Sequence, residues 1–179
     1  MAIAPVKGTK DIYKDEALYH RYVSSFLRSV VELYGFKEIE TPVLEHTEVF
    51  THGTGESSDV VRKEMYTFDD KGSRSVTMRP EFTAGIVRSI VSNKWYATED
   101  LPLKMYYHGP AFRYERPQLG RYRQFHQFGV EEIGLDSARA DAEIVIMAIH
   151  SLSVLGFKNV KLKINSIGDA ESRNNYKKA

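Results

Sequence analysis

The segments of this sequence that have the alternation typical of β-strands follow one another in pairs, separated by turns. One pair is predicted at residues 65–68 and 75–78, around a turn at residues 69–73, and another pair lies within residues 112–134. Strands joined by turns pair antiparallel, whereas parallel strands need a long crossover connection, usually a helix. The sequence therefore predicts an α+β fold in which a largely antiparallel sheet is flanked by helices, and it disfavours a doubly wound parallel sheet.

Three segments have the periodicity of amphipathic helices. Residues 15–34 form the longest, which Gly35 is predicted to cap, and this helix is interpreted as a core or interface element. The second helix follows Thr83, a candidate N-cap, and the third spans residues 137–156. The apolar positions expected to be inward are Tyr19, Val23, Phe26, Leu27, Val30, Val31 and Tyr34 in the first helix, Ala84, Val87, Ile90 and Val91 in the second, and Ile144, Met147, Ala148, Leu152 and Leu155 in the third.

Further strands are predicted outside the two pairs. They cover residues 36–40, 104–108 and 160–164, where apolar and polar residues alternate. Pro42 ends the first of them because proline has no N–H to donate inside a sheet. Residues 51–63 are rich in Gly, Ser and Thr and are predicted to form a loop.

Composition limits the classes of function that fit. The chain has 179 residues, about one ordinary domain, and its 25 Lys and Arg against 24 Asp and Glu leave a net charge of +1. Such a balance argues against a broad electrostatic surface for nucleic acid, so any such contact is expected to be local. The sequence has no cysteine and no apolar run long enough to span a bilayer. We therefore expect a cytoplasmic protein with no membrane contact.

Several common site motifs are missing from the sequence. There is no GxxxxGK[ST] and no GxGxxG, so a nucleotide would have to be held by side chains. The six histidines show no HExxH spacing, which makes His126 a structural or pocket residue and a protein metal site improbable. No serine or cysteine stands in a recognisable nucleophile elbow, so no covalent enzyme intermediate is expected.

The polar residues of segment 112–134, FRYERPQLGRYRQFHQFGVEEIG, are the strongest candidates for chemistry. Alternation places Arg113 and Glu115 on one side of the first strand. In the second run it places Arg123, Phe125, Gln127, Gly129 and Glu131 on one face. The turn at residues 116–121 is too long for a two-residue hairpin and could close over a ligand.

Two readings of this segment are open from residue pattern alone. A solvated charged hairpin is one of them. The types of residue favour the other, since arginine offers planar, permanently charged donors for phosphate and Phe125 offers a ring face for a base. A nucleotide is therefore the predicted ligand. Glu81 and Thr83 lie at a strand-to-helix corner, where they either contact the ligand or simply cap the helix.

The motifs KGTKDI, GFKEIETPVLE, RPEFTA and FRYERPQLGRYRQFHQFGVEEIG closely resemble those of histidyl-tRNA synthetases, which are class II aminoacyl-tRNA synthetases. Residues 15–34 and 36–40, with Pro42, resemble motif 1 of that class, and residues 112–134 resemble motif 2. The resemblance implies the class II antiparallel sheet with flanking helices. Phe82 departs from the pattern, because the family most often has glycine there.

On the nucleotide side, the resemblance implies four ligands for ATP. Arg113 would grip the α-phosphate and act in catalysis, and Arg121 would meet the outer phosphates. Glu115 would lie near the adenine amino group, and Phe125 would stack on the adenine ring. Magnesium would accompany ATP and be bound mainly by phosphate oxygens.

On the amino-acid side, the resemblance implies a pocket for L-histidine. Glu81 and Thr83 would contact the substrate ammonium, and Gln127 would lie beside the same end of the substrate. Glu131 would accept a hydrogen bond from the imidazole N–H, and Gly129 would leave room for the ligand. A carboxylate facing the imidazole can select for histidine, because an analogue unable to donate a hydrogen bond would leave the carboxylate charge buried and unpaired.

The activity implied is ATP-dependent activation of L-histidine to histidyl-adenylate, followed by transfer to tRNA(His), in a homodimer that contacts through residues 15–45. Residues 1–179 would form part of the catalytic domain, without motif 3 or the anticodon-binding domain. Two other interpretations remain open: a histidine-sensing, synthetase-like regulatory subunit of ATP phosphoribosyltransferase, and a non-catalytic dimerising module.

Overall fold

The computed structural model describes residues 2–53, 64–165 and 175–176 of the chain. Five helices and six strands are found there. The helices are α1 (Lys14–Leu33), α2 (Thr47–Gly53), α3 (Thr83–Asn93), α4 (Trp95–Thr98) and α5 (Ala138–Val154). The strands are β1 (Lys37–Glu38), β2 (Leu44–His46), β3 (Tyr66–Asp69), β4 (Ser75–Met78), β5 (Leu103–Phe112) and β6 (Gln124–Ile133).

The strands form two three-stranded sheets. The first has the order β1-β5-β6, with β1 parallel to β5 and β5 antiparallel to β6 along ten residue pairs. The second has the order β2-β4-β3 and is antiparallel throughout. The predicted α+β fold with largely antiparallel sheets and flanking helices is confirmed.

Helices cover both faces of the β1-β5-β6 sheet. On one face, Phe82, Ile86 and Ile90 pack on Leu103 and Ala111 of β5. On the other face α1 and α5 pack on β5 and β6, in a cluster that contains Val31, Phe36, Tyr106 and Met147. Because side chains alternate along a strand, the odd-numbered residues of β5 and β6 face α3 and the even-numbered ones face α1 and α5.

The predicted α1 and α5 are confirmed, although their buried stripes are narrower than expected. In α1, Val30 and Val31 are buried, whereas Tyr19 and Val23 are exposed. In α5 Met147 is buried, but Ala148 is exposed, contrary to the prediction. Among the described residues, no helix is long and apolar enough to cross a membrane.

In α3 the prediction was wrong about the cap and about half of the stripe. The residue before the helix is Phe82, and Thr83 is its first residue. Ala84 and Ile90 are buried as predicted, whereas Val87 and Val91 are exposed. The buried face of the helix is instead centred on Phe82, Ile86 and Ile90, which follow one another at a spacing of four residues.

The predicted strand at residues 104–108 is longer than expected, since β5 continues to Phe112. The pair of strands expected within residues 112–134 is therefore formed by β5 and β6, and residues 113–115, expected in its first strand, lie beyond the end of β5. Pro110 pairs with His126 inside the ladder. The N–H of Phe112 donates to Arg79 O, away from β6. The nitrogen of Pro110, two residues earlier, points the same way, so its missing N–H removes no bond between β5 and β6.

Three other predictions need correction or lie outside the described residues. The strand predicted at residues 36–40 is reduced to β1. Residues 160–164 are not a strand, and Val160, Leu162 and Ile164 are exposed, because alternation forms a strand only where another strand pairs with it. Residues 51–53 belong to α2. The rest of the loop predicted at residues 51–63 lies outside the described residues.

Candidate functional site

The end of β5 and the start of β6 bring the predicted phosphate-side residues together. Beyond the regular ladder, the Arg113 N–H still donates to Arg123 O over 2.9 Å. The turn that follows is closed by reciprocal backbone hydrogen bonds between Gln118 and Arg121. The long turn predicted at residues 116–121 is thus confirmed, and it brings Arg121 back towards Glu115.

Glu115 lies between two arginines. Its Oε1 is 4.0 Å from Arg113 Nη1 and its Oε2 is 3.6 Å from Arg121 Nη1. The Arg113 guanidinium lies 5.2 Å from the centre of the Phe125 ring, and its Nε donates to Pro80 O over 2.9 Å. All four predicted nucleotide-side residues therefore form one cluster in which one arginine is held firmly and the other, Arg121, is mostly exposed.

Glu81 is the cap of α3. Its Oε2 accepts from the Thr83 N–H over 2.6 Å, and its Oε1 accepts from the Ala84 N–H over 3.0 Å. Two of the N–H groups that a helix leaves without a partner at its start are satisfied in this way. Glu81 therefore caps the helix through its carboxylate, and the hydroxyl of Thr83 is not the cap.

The Thr83 hydroxyl joins α3 to β6. Its Oγ1 donates to Glu131 Oε1 over 2.6 Å, which leaves Glu131 Oε2 available to another donor. Burial raises the pKa of the Glu131 carboxyl, and the nearby charge of Glu81 adds to the shift, while the hydrogen bond from Thr83 opposes it. The predicted histidine-side residues Glu81, Thr83 and Glu131 are thus brought together at one corner.

Gln127 lies on the same face of β6 as Glu131, four residues earlier in the strand. Its Oε1 is buried and accepts no hydrogen bond from the part of the chain that the structure describes. Buried polar atoms in folded proteins almost always have a partner. An unpaired buried acceptor on the face of β6 that also carries Glu131 is therefore an observation that points to a bound donor.

Tyr107 belongs to this corner, although sequence reasoning missed it. It is paired with Gly129 across the β5-β6 ladder, and a β-carbon added to Gly129 would overlap the Tyr107 hydroxyl. The space above Gly129 is therefore filled by Tyr107 and is not open to a ligand, which corrects the expectation. A glycine inside a strand pattern does signal a close approach, but the sequence does not say of which residue.

The Tyr107 hydroxyl lies among the residues predicted to bind histidine. Burial raises its pKa, and the carboxylates of Glu131 and Glu81 raise it further, against a hydrogen bond with Thr83 that lowers it. The phenol is therefore neutral at physiological pH and can donate or accept a hydrogen bond.

The opposite face of the same sheet carries three histidines. The His126 ring lies 5.4 Å from the His20 ring and 5.6 Å from the His108 ring, between centres. Partial burial lowers the pKa of both His108 and His126. No group of three or more His, Cys, Asp or Glu residues in the described ranges could hold a metal ion. His126 lies on the face of the sheet away from Glu131, beside the rings of His20 and His108.

Known proteins are similar to nearly all of this chain. A sequence profile described as histidyl-tRNA synthetase matches residues 8–169. The histidine–tRNA ligase of Staphylococcus epidermidis is 53% identical over 173 residues, which are 97% of this chain and 41% of that protein. The crystal structure of apo S. aureus histidyl-tRNA synthetase matches with a TM-score of 0.82 and 42% identity, over 99% of this chain and 41% of that one.

A more distant structure, described as an ATP phosphoribosyltransferase regulatory subunit/histidyl-tRNA synthetase from Bacillus halodurans, has a TM-score of 0.76 at 24% identity. It covers 89% of this chain and 40% of its own. At that identity the likeness shows a shared fold alone. The chain thus spans about two fifths of the length of the relatives that it matches.

Proposed function

Because the chain belongs to the histidyl-tRNA synthetase family, we propose that it is part of an enzyme that activates L-histidine with ATP and transfers the histidyl group to tRNA(His). Residues 1–179 then form part of the catalytic domain, carrying motifs 1 and 2. The other motifs and the anticodon-binding domain would belong to the remainder of such an enzyme.

The observation that carries this proposal is that two acceptors, Gln127 and Glu131, share one face of β6 with Phe125, against whose ring the Arg113 guanidinium lies. Gln127 Oε1 is buried without a partner in the described residues, and Glu131 keeps one carboxylate oxygen available. Both suit the N–H donors of an amino acid that carries an imidazole. Arg113 and Arg121 lie further along the hairpin and suit the phosphates of a nucleotide.

In the first step, a carboxylate oxygen of histidine attacks the α-phosphorus of ATP, the bond from that phosphorus to the bridging oxygen breaks, and pyrophosphate leaves. Arg113 binds the α-phosphate and stabilises the charge that develops there. Its hydrogen bond to Pro80 O fixes the guanidinium in advance. Arg121, on the exposed turn, meets the outer phosphates, and magnesium accompanies ATP as part of the substrate.

Adenine lies against Phe125 with its amino group near Glu115, and histidine lies between Glu81, Thr83, Gln127 and Glu131. In the second step a ribose hydroxyl of tRNA(His) attacks the carbonyl carbon of the adenylate, and AMP leaves. No protein nucleophile takes part in either step. Catalysis is positioning and electrostatic stabilisation.

The same proposal includes a cytoplasmic homodimer formed through residues 15–45. Its support is the exposed apolar surface of α1, where Leu18, Tyr19, Tyr22 and Val23 are all exposed. Apolar groups gathered on one helix are typical of surfaces that bind another protein. If α1 and its surroundings form the interface, charge substitutions at Tyr19 and Val23 will convert the dimer to monomer without unfolding it.

The two other interpretations have less support. The support for a regulatory subunit is a similar structure at 24% identity, and at that identity the similarity shows a shared fold alone. A purely dimerising module does not need Arg113, Glu115 and Arg121 in one cluster. Histidine-dependent chemistry separates these readings, because neither a sensor nor a dimerising module forms an adenylate.

The test is ATP–pyrophosphate exchange on the 179-residue chain, with histidine and with a panel of other amino acids. We expect exchange with histidine alone and at least a hundredfold loss in Arg113→Ala, since one such interaction with developing charge contributes about 10²–10³ in rate. Arg139→Ala, an exposed arginine at the start of α5, is the matched control and should keep the wild-type rate. No exchange with histidine would refute activation of histidine by this chain, and exchange with every amino acid would refute specificity for histidine.

A further inference from the structure

Phe82, which departs from the family pattern, is the middle layer of a buried stack beneath the histidine corner. Its ring lies 4.3 Å from the Tyr107 ring, centre to centre, at an interplanar angle of 11°. The Arg79 guanidinium carbon lies 3.9 Å from the centre of the same Phe82 ring. Two groups this close cannot share one ring face, so Phe82 is sandwiched between Arg79 and Tyr107.

The far side of the stack is anchored in the backbone. Arg79 is buried, and its guanidinium donates from Nε to Pro110 O and from Nη1 to Thr41 O, each over 2.8 Å. A guanidinium that donates to two backbone carbonyls and has its flat face on an aromatic ring is a rigid support. Phe82 therefore cannot shift away from Tyr107 without displacing a buried, bonded cation.

Two glycines of the sheet make room for the stack. A β-carbon added to Gly109 would lie 2.7 Å from Arg79 Nη2 and 3.3 Å from the Phe82 ring. A β-carbon added to Gly129 would overlap Tyr107. Both glycines lie on the face of the sheet that carries Glu131, so the three stacked groups fit directly onto the bare backbone of β5 and β6.

We propose that Phe82 is a positioning residue for histidine, which holds the Tyr107 ring against Gly129 and so fixes the Tyr107 hydroxyl beside Thr83 and Glu131. This inference rests on the proposed function of that corner. Tyr107 then forms the floor of the amino-acid pocket, and Phe82 acts through it without touching the substrate. Where glycine replaces Phe82, the ring of Tyr107 would have no such support on this side.

The consequence concerns the pairing of Thr83 with Glu131. The Thr83 hydroxyl has one proton, which it donates to Glu131 Oε1. The Tyr107 hydroxyl lies within hydrogen-bonding reach of the same Thr83 side chain, so a Tyr107 ring held in place limits the orientations that the Thr83 hydroxyl can take. If the Tyr107 ring were mobile, Thr83 could turn, Glu131 would lose its fixed orientation, and the pocket would bind imidazole less tightly.

The test is a double-mutant cycle on histidine binding to the 179-residue chain, measured by isothermal titration calorimetry. Phe82→Leu keeps an apolar side chain but removes the flat ring, and Tyr107→Leu removes the group on which it acts. We expect Phe82→Leu to weaken histidine binding about tenfold when Tyr107 is present and less than about twofold in the Tyr107→Leu background. Equal losses in the two backgrounds would refute positioning through Tyr107.

Ile86→Val is the matched control, because Ile86 is fully buried in the same cluster and lies on the same helix face as Phe82. Both changes lower the melting temperature, but we expect Ile86→Val to leave histidine affinity unchanged. If it weakens binding as much as Phe82→Leu, general loosening of the core explains the effect and the proposal is wrong.

A second measurement does not depend on histidine. If the wild-type chain binds no histidine, the proposed function fails for this chain, and the stack is tested by the NMR signal of Tyr107 in protein labelled with ¹³C at tyrosine Cζ. We expect Phe82→Leu to move or broaden that signal and Ile86→Val to leave it in place. An unmoved signal in Phe82→Leu would overturn the role of Phe82 whatever the ligand.

Discussion

Glu131→Gln is expected to weaken histidine binding while leaving the fold as stable as before or more stable. The change keeps the volume of the side chain and keeps an oxygen to accept from Thr83, whose hydroxyl is 2.6 Å from Glu131 Oε1. It replaces the other oxygen by an NH2 group, which cannot accept from an imidazole N–H. A hydrogen bond to a charged group contributes about 1.5–3 kcal/mol, so histidine affinity should fall about ten- to hundredfold.

The stability of the unliganded chain should move the other way. Burial raises the pKa of Glu131, so its ionised form is disfavoured in the folded state. A raised pKa means that the stabilising contribution is present below the unfolded value, near pH 4.3, and is lost as pH rises through the folded value. At pH 7 wild type therefore carries an unfavourable buried charge that glutamine lacks, and the advantage of Glu131→Gln should vanish near pH 4.

Calorimetric titration with histidine and urea unfolding at pH 7 and pH 4 measure both effects on the same variant. Glu132→Gln is a useful comparison, because Glu132 is the next residue of β6 and its carboxylate faces Lys104 over 3.7 Å on the opposite side of the sheet. It should leave histidine affinity unchanged and lower stability. A Glu131→Gln chain that is less stable than wild type at pH 7, or that binds histidine equally well, would refute this reasoning.

Two further changes test other parts of the fold. Burial lowers the pKa of His108, and the side chains that face it are His126 on β6, His20 and Arg28 on α1 and Glu38 on β1. Because its folded-state pKa is lowered, wild type should lose stability as pH falls below about 6.5. His108→Phe should lessen that loss, measured by urea unfolding from about pH 7.5 to 5. Ser137 caps α5 by accepting from the Arg139 N–H over 3.2 Å, so Ser137→Ala should cost about 1 kcal/mol of unfolding free energy, whereas Ser137→Asp should cost little. An unchanged pH profile in the first variant, or an unchanged midpoint in the second, would contradict these assignments.

Local sequence patterns correctly predicted the helices and strands that have one apolar and one polar face. Helix α1, the β3-β4 hairpin, β6 and α5 all have clear periodicity, and each is found within a few residues of its predicted ends. The predictions were wrong where distant residues decide the outcome. The strand predicted at residues 104–108 continues through Gly109 and Pro110, because the glycine makes room for Arg79 and the proline nitrogen points away from β6.

The sequence predicted the polar residues of the candidate site but not the aromatic residue Tyr107 that packs beneath them. The types and spacing of Arg113, Glu115, Arg121 and Glu131 pointed to a ligand. The structure brings the first three together beyond the end of β5 and sets Glu131 on β6. Tyr107 was missed because only the pairing of β5 with β6 sets it against Gly129. Single-residue patterns cannot contain this information, since the register of two strands depends on both of them and on the turn that joins them.

The register of β6 is what separates the two glutamates of the sequence Glu131-Glu132. A slip of one residue would turn Glu131 towards Lys104 and α5, and Glu132 towards Thr83 and α3. Tyr107 opposes such a slip, because its ring fits against the residue at position 129 only if that residue is glycine. With Phe128 or Val130 in that place the ring would be expelled. The stack of Arg79, Phe82 and Tyr107 therefore specifies the strand register as well as the floor of the pocket, and the placement of the carboxylate that is to face imidazole depends on both.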